Sequence, residues 1–162
     1  MEKLRAEQYH PAFAGSVFTT AEFSFTQPSI IMSRNTYDEF GSLRAVTALG
    51  NYGPESGWFL FWPESSNERL AFPCPPGTTL LIPASVVRYG FSAVKKGETR
   101  YLFQQYSNAA VGRWVRQEYR SDMEYEDWIW LDETDEADWR VEIGDRVEQQ
   151  LALTSRVDEL YV

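Results

Sequence analysis

Ala45-Val46-Thr47-Ala48-Leu49-Gly50, Pro76-Gly77-Thr78-Thr79-Leu80-Leu81-Ile82-Pro83-Ala84 and Lys96-Gly97-Glu98-Thr99-Arg100-Tyr101 are the phrases on which the reading of this chain turns. Each joins a short β-branched or apolar run to a Gly or Pro stop, the mark of strands closed by turns. The same rhythm extends outward from them over residues 15–106, where helical periodicity is weak. It predicts strands at 17–25, 29–32, 43–49, 58–62, 68–72, 78–82, 86–94 and 100–106. A mainly β domain, sandwich or barrel, follows from that spacing.

Two connections look local. Asn51-Tyr52-Gly53-Pro54-Glu55-Ser56-Gly57 reads as a loop and Lys95-Lys96-Gly97-Glu98 as a hairpin-type turn, each expected to join antiparallel neighbours. Pro73-Cys74-Pro75-Pro76-Gly77 cannot donate a continuous ladder of hydrogen bonds, so it belongs at a strand entrance or rim.

The composition narrows the function classes. With 162 residues the chain can bury roughly 70% of its unfolded surface, enough for one core. Hydrophobic residues make up 43% and aromatics 15%, which excludes a disordered chain and predicts an aromatic-rich interior. A net charge of −9 argues against nucleic acid as a partner. Arg113, Arg116 and Arg120 would share one helix face, but Glu118, Asp122 and Glu124 dilute them into a solvated surface. Cys74 is the only cysteine, so there is no internal disulfide, and a reducing cytoplasm or nucleus fits. The sequence contains no apolar run of membrane-spanning length, and its first residues have no secretory apolar segment. The chain begins close to what reads as the interior of a fold, as a trimmed piece of a longer protein would.

After Asn108 the character changes. Val111, Trp114 and Val115 recur at helical spacing, and from Asp122 acidic residues interleave with Trp128, Ile129, Trp130 and Trp139. Trp139, Ile143, Val147 and Leu151 form a fourth-residue stripe that could lie across a sheet. The expected organisation is a core with an N-terminal arm at 1–120 and an acidic, mainly helical extension at 121–162, packed on the core.

The order of the phrases from about residue 30 to 115 resembles the fungal Tet/JBP-like iron(II)/2-oxoglutarate dioxygenases, particularly the transposon-associated type of mushroom-forming fungi. The resemblance implies a double-stranded β-helix, an eight-stranded jelly roll of cupin type with the site at its open end. Such enzymes hold iron with two His and one carboxylate. Aligned on the phrases, the His-x-Asp pair of the family falls on Ser33-Arg34-Asn35 and its second His on Tyr89, while Arg100 takes the place of the Arg that grips 2-oxoglutarate. A hydroxyl, an amide and a phenol are poor iron(II) ligands, so the resemblance implies a fold without its usual oxygenase chemistry.

The expected function is therefore that of a catalytically degenerate dioxygenase-fold protein with no catalytic, metal or cofactor residues. Ser33, Asn35, Tyr89 and Arg100 would line a polar mouth for an anionic small molecule, or a protein would be the partner. Arg100 equally suits pairing with a buried acid. The alternative is an active iron(II)/2-oxoglutarate oxygenase of a nucleobase or small substrate, with ligands drawn from other residues such as Asp38 and Glu39. A third class is an interaction or self-association module using Trp128, Trp130 or Trp139. His10, the only histidine, reads as a surface or packing residue, and the tail carboxylates read as a solvated face.

Overall fold

The computed structural model describes residues 11, 13–25, 34–62 and 69–129. The backbone gathers into two compact units, Met1–Ala109 and Ala110–Val162. The first is mainly β, with seven described strands: β1 (Thr20–Ser24), β2 (Arg44–Asn51), β3 (Phe59–Trp62), β4 (Leu70–Phe72), β5 (Thr79–Ile82), β6 (Arg88–Phe91) and β7 (Thr99–Tyr106). The strand expected at 29–32 lies outside the described residues.

The strands form two antiparallel sheets, one ordered β1-β7-β2-β5 and the other β4-β3-β6. The alternation within β2 shows why. Arg44, Val46 and Ala48 share one face and are buried, whereas Thr47 and Leu49 turn to the other. Arg100, Leu102 and Gln104 do the same on β7, with Val46 opposite Gln104 and Ala48 opposite Leu102. Val46, Ala48 and Leu102 from these positions join Phe59, Tyr89 and Phe91 of the second sheet in one apolar cluster, edged by Phe61, Leu80 and Val94. Burying a side chain such as Phe59 or Phe91 contributes roughly 1.5–3 kcal/mol.

The expectation that the 51–57 loop and the 95–98 turn join antiparallel neighbours is corrected by the sheet order. The first runs from β2 to β3 and the second from β6 to β7, so both cross from one sheet to the other. The Lys95–Glu98 turn is present, with Gly97 at φ 89° and the Glu98 N–H donating to Lys95 O at 3.0 Å. What it does not do is pair its flanking strands, because 92–98 is long enough to span the roughly 10 Å between packed sheets. Gly50 makes the first crossing practicable. Its φ is 121°, and a Cβ there would lie 2.3 Å from the Thr99 carbonyl oxygen.

One carboxylate stitches the two crossings together. Glu98 accepts hydrogen bonds from the Ser56 hydroxyl, from the Gly53 N–H at 2.9 Å and from the Lys95 N–H at 3.0 Å. The Ser56 hydroxyl, then the Gly53 amide, hold the Glu98 carboxyl below its ordinary pKa.

Two helices are described, α1 (Ala109–Arg116), which begins with the last residue of the first unit, and α2 (Asp122–Ile129) in the second. The three arginines expected on one helix face are not on one helix. The chain leaves α1 after Arg116, with Glu118 and Tyr119 at φ 52° and 65°. Arg113 pairs with Asp122 at 3.0 Å and Arg120 with Glu118 at 2.9 Å, so the basic surface is neutralised locally. A capping box opens α2: the Ser121 N–H donates to Glu124 Oε2 at 2.8 Å, and the Glu124 N–H donates to Ser121 Oγ at 3.3 Å. Residues 130–162, with Trp130 and the Trp139 stripe, lie outside the described set. Among the described residues no helix is long and apolar enough to cross a membrane.

Glu98→Gln tests the stitch. A depressed carboxylate pKa contributes stability that is present above the ordinary carboxylate range and lost as pH falls through it. Thermal unfolding should therefore show a lower Tm for Glu98→Gln at pH 7, with the gap to the parent protein closing as the pH is taken down toward 3.

Candidate functional site

The expected mouth residues divide between two places. Asn35 is held on a turn, its N–H donating to Ala84 O at 2.8 Å and its carbonyl accepting from the Asp38 N–H at 3.1 Å. From there Asn35 Nδ2 donates to Tyr89 Oη. Tyr89 is 8% exposed and lies on β6, opposite Phe61. Ser33 and His10 lie outside the described residues.

Beside this pair stands a polar cluster that the sequence pattern did not announce. Arg44 and Asp38 are 4% and 3% exposed, and they meet fork to fork: Nε donates to Oδ2 at 2.9 Å and Nη2 to Oδ1. Arg44 Nη1 donates to Gln104 Oε1 at 3.1 Å, and the guanidinium lies 3.8 Å over the Tyr106 ring. Glu22, half exposed, reaches Arg44 at 4.0 Å. Burial works against the Arg44 charge, but the Asp38 hydrogen bond, with further help from Tyr89 and the Asp38 charge, raises its pKa above the ordinary value. Asp38, considered from sequence as a metal carboxylate, thus has both oxygens engaged by Arg44.

Arg100 lies on the same inner face of β7 but two side chains away, with Leu102 between it and Gln104. At about 3.4 Å per residue, Arg100 and Gln104 are separated by roughly 14 Å of strand. Arg100 is 1% exposed, donates from Nη1 to Ser92 O at 2.7 Å and stacks over Phe91 at 4.9 Å. Burial lowers its pKa, an effect that neighbouring Tyr52 and Cys74 oppose. Tyr52 Oη donates to Cys74 O at 2.6 Å. Burial also pushes Tyr52 up to about 12 and raises the fully enclosed Cys74 thiol, which keeps that sulfur out of thiolate chemistry.

Whether iron would fit is a question of donors. Burial pushes Tyr89 up to about 12, with Arg44 pulling the other way, so its phenol is neutral at physiological pH. Asn35 presents a neutral amide already bonded to that phenol. Neither group suits iron(II), and among the described residues no three His, Cys, Asp or Glu side chains gather as a metal set. The described residues therefore do not fit the iron centre of the family that the sequence resembles.

In the second unit a hollow of about 440 Å³ is lined by Tyr119, Arg120, Glu124, Asp127 and Trp128. Arg120 lies 4.8 Å over the Trp128 ring, which is 39% exposed. Comparison with known proteins gives no matching family model and no matching curated protein.

Removing one partner of the buried pair should be severe. Asp38→Ala leaves Arg44 charged and enclosed, with an expected loss of about 3–5 kcal/mol in denaturant unfolding. The double change Asp38→Ala with Arg44→Met should recover part of that loss, because the stranded charge is gone.

Tyrosine ionisation supplies a second test. Groups whose folded pKa is raised stabilise fully below their unfolded value, here 10, and lose that contribution as pH climbs toward 12. Unfolding midpoints should fall between pH 10 and about 12, together with the rise of phenolate absorbance, and Tyr89→Phe should flatten part of that slope.

Proposed function

We propose that the chain is a binding module built on a dioxygenase-type jelly roll of the Tet/JBP-like kind and that it does not perform oxygenase chemistry. The strand order supports the scaffold. An eight-stranded jelly roll sets two four-stranded sheets face to face, with most successive strands crossing between them. The order β1-β7-β2-β5 against β4-β3-β6 suits that scheme with one further strand beside β6. The sequence offers 29–32 for it, outside the described residues. On this reading the acidic residues from 121 onward are a mainly helical extension of which α2 is the described start, and the protein works in a reducing compartment where Cys74 stays a thiol.

The observation that carries the reading is the Asn35–Tyr89 hydrogen bond. At two of the positions where the family needs ionised or imidazole ligands, this chain has an amide and a neutral phenol bonded to each other. Their neighbour Asp38 is fully engaged by Arg44. With Tyr89, Asp38 and Arg44 buried, Asn35 partly so, and the four engaged with one another, a protein partner fits the fold better than a small anion held in the mouth.

The test is metal analysis of the purified protein, followed by anaerobic calorimetric titration with 2-oxoglutarate in the presence of iron(II). The expected result is neither stoichiometric iron nor a binding isotherm, with Arg100→Ala indistinguishable from the parent in the titration. Stoichiometric iron, with 2-oxoglutarate binding that Arg100→Ala abolishes, would establish the oxygenase instead.

A further inference from the structure

The hollow in the second unit has no part in the jelly-roll reading. Its walls come from two short stretches: Tyr119 and Arg120 on the turn between the helices, and Glu124, Asp127 and Trp128 on α2. The three α2 positions are spaced i, i+3 and i+4, so they share one helix face. At about 440 Å³ the hollow has the size of a ligand cavity, but three of its five lining side chains are charged, where pockets for small molecules are mainly apolar.

Its aromatic walls are held in place. Glu118 and Tyr119 both sit at left-handed φ, 52° and 65°, which non-glycine residues seldom adopt. That reversal brings the Tyr119 ring into T-shaped contact with Trp114, centroids 4.9 Å apart, and lets the Tyr119 N–H donate to the Trp114 carbonyl at 2.8 Å. Trp128 is braced by Tyr125, ring to ring at 5.7 Å, and still leaves 39% of its surface open. One cation is already seated on it: the Arg120 guanidinium lies 4.8 Å over the Trp128 ring.

We infer that this hollow receives an arginine side chain from a basic segment of another protein, with Arg120 as its resident stand-in. Charge selects the sign of the partner. Glu124 and Asp127 outnumber Arg120 in the hollow and the whole chain carries −9, so a polycation is drawn in while phosphates and acidic segments are repelled. The Ser121 hydroxyl holds the Glu124 carboxyl below its ordinary pKa, which keeps that charge in place. The ring favours arginine over lysine, because a flat guanidinium stacks on an aromatic face and also matches the two oxygens of a carboxylate. Arg120 already shows the stacking. The resident is loosely held, since its other contact is a surface pair with the exposed Glu118 at 2.9 Å.

The inference rests on the proposed binding role only in naming the chemistry of the protein partner. Iron and 2-oxoglutarate decide that role, whereas peptide binding decides this one, so either can fail alone.

Fluorescence anisotropy of a labelled hexa-arginine peptide titrated with the full chain at physiological salt tests it. Binding should be tighter than for a hexa-lysine peptide. Trp128→Ala, which leaves the net charge unchanged, should weaken it roughly fivefold, while Tyr37→Ala, at an aromatic residue 78% exposed and outside the hollow, should not. Asp127→Asn should weaken it, and Arg120→Ala should tighten it roughly two- to fivefold by removing the internal competitor. Lys96→Ala makes the same charge change on the exposed 95–98 turn and should tighten it less. If Trp128→Ala disturbs the helix signal in circular dichroism, the opposite signs expected of Asp127→Asn and Arg120→Ala carry the test. The inference is overturned if the peptide does not bind, if hexa-lysine binds as well, or if Trp128→Ala binds like the parent, which would leave bulk charge as the only attraction. An Arg120→Ala effect no larger than that of Lys96→Ala overturns it as well.

Discussion

Arg44 has to keep its charge in a place where water does not reach, and Asp38 makes that tolerable. The two side chains close a pair of parallel hydrogen bonds, Gln104 takes a third donor and the Tyr106 ring covers the flat side of the guanidinium. Because Arg44 begins β2 and Gln104 lies on β7, the cluster ties the turn at Asp38 to the two central strands of the larger sheet. Tyr89 and Asn35 stand in its field, which is one reason the phenol resists ionisation only as far as burial outweighs the nearby cation. Asn35, Tyr89, Asp38 and Arg44 thus answer to one another through hydrogen bonds and charge.

At the other end of the same inner face a second charge is handled differently. Arg100 is enclosed by Phe91 and caps the Ser92 carbonyl, close to the two chain crossings that Glu98 holds together. The sandwich thus has a polar fastening at each end and an apolar middle made by Val46, Ala48, Leu102, Phe59 and Phe91.

Much of the β content was legible because period-2 alternation is a local property. Thr79–Ile82 and Thr99–Tyr106 fall within or close to the runs that the Gly and Pro stops delimit. Which strands pair was not legible from the loops, since a Gly-containing turn such as 95–98 has the same composition whether it closes a hairpin or crosses between sheets. The Asp38–Arg44 pair was hidden for a different reason: an arginine at the start of a strand ordinarily reaches solvent. The available signal was parity, because Arg44 shares its face with Val46 and Ala48, and Arg100 and Gln104 share theirs with Leu102. The bond from Asn35 to Tyr89 joins residues far apart in the chain, which no local pattern reports.

Cys74 has its own consequence. It is the single sulfhydryl of the chain and is entirely enclosed, next to Tyr52 and within the field of Arg100. An alkylating reagent in the surrounding medium can reach it only when the two layers part. The rate at which this sulfur is modified is therefore a built-in clock for breathing of the interior, readable without attaching any label to the molecule.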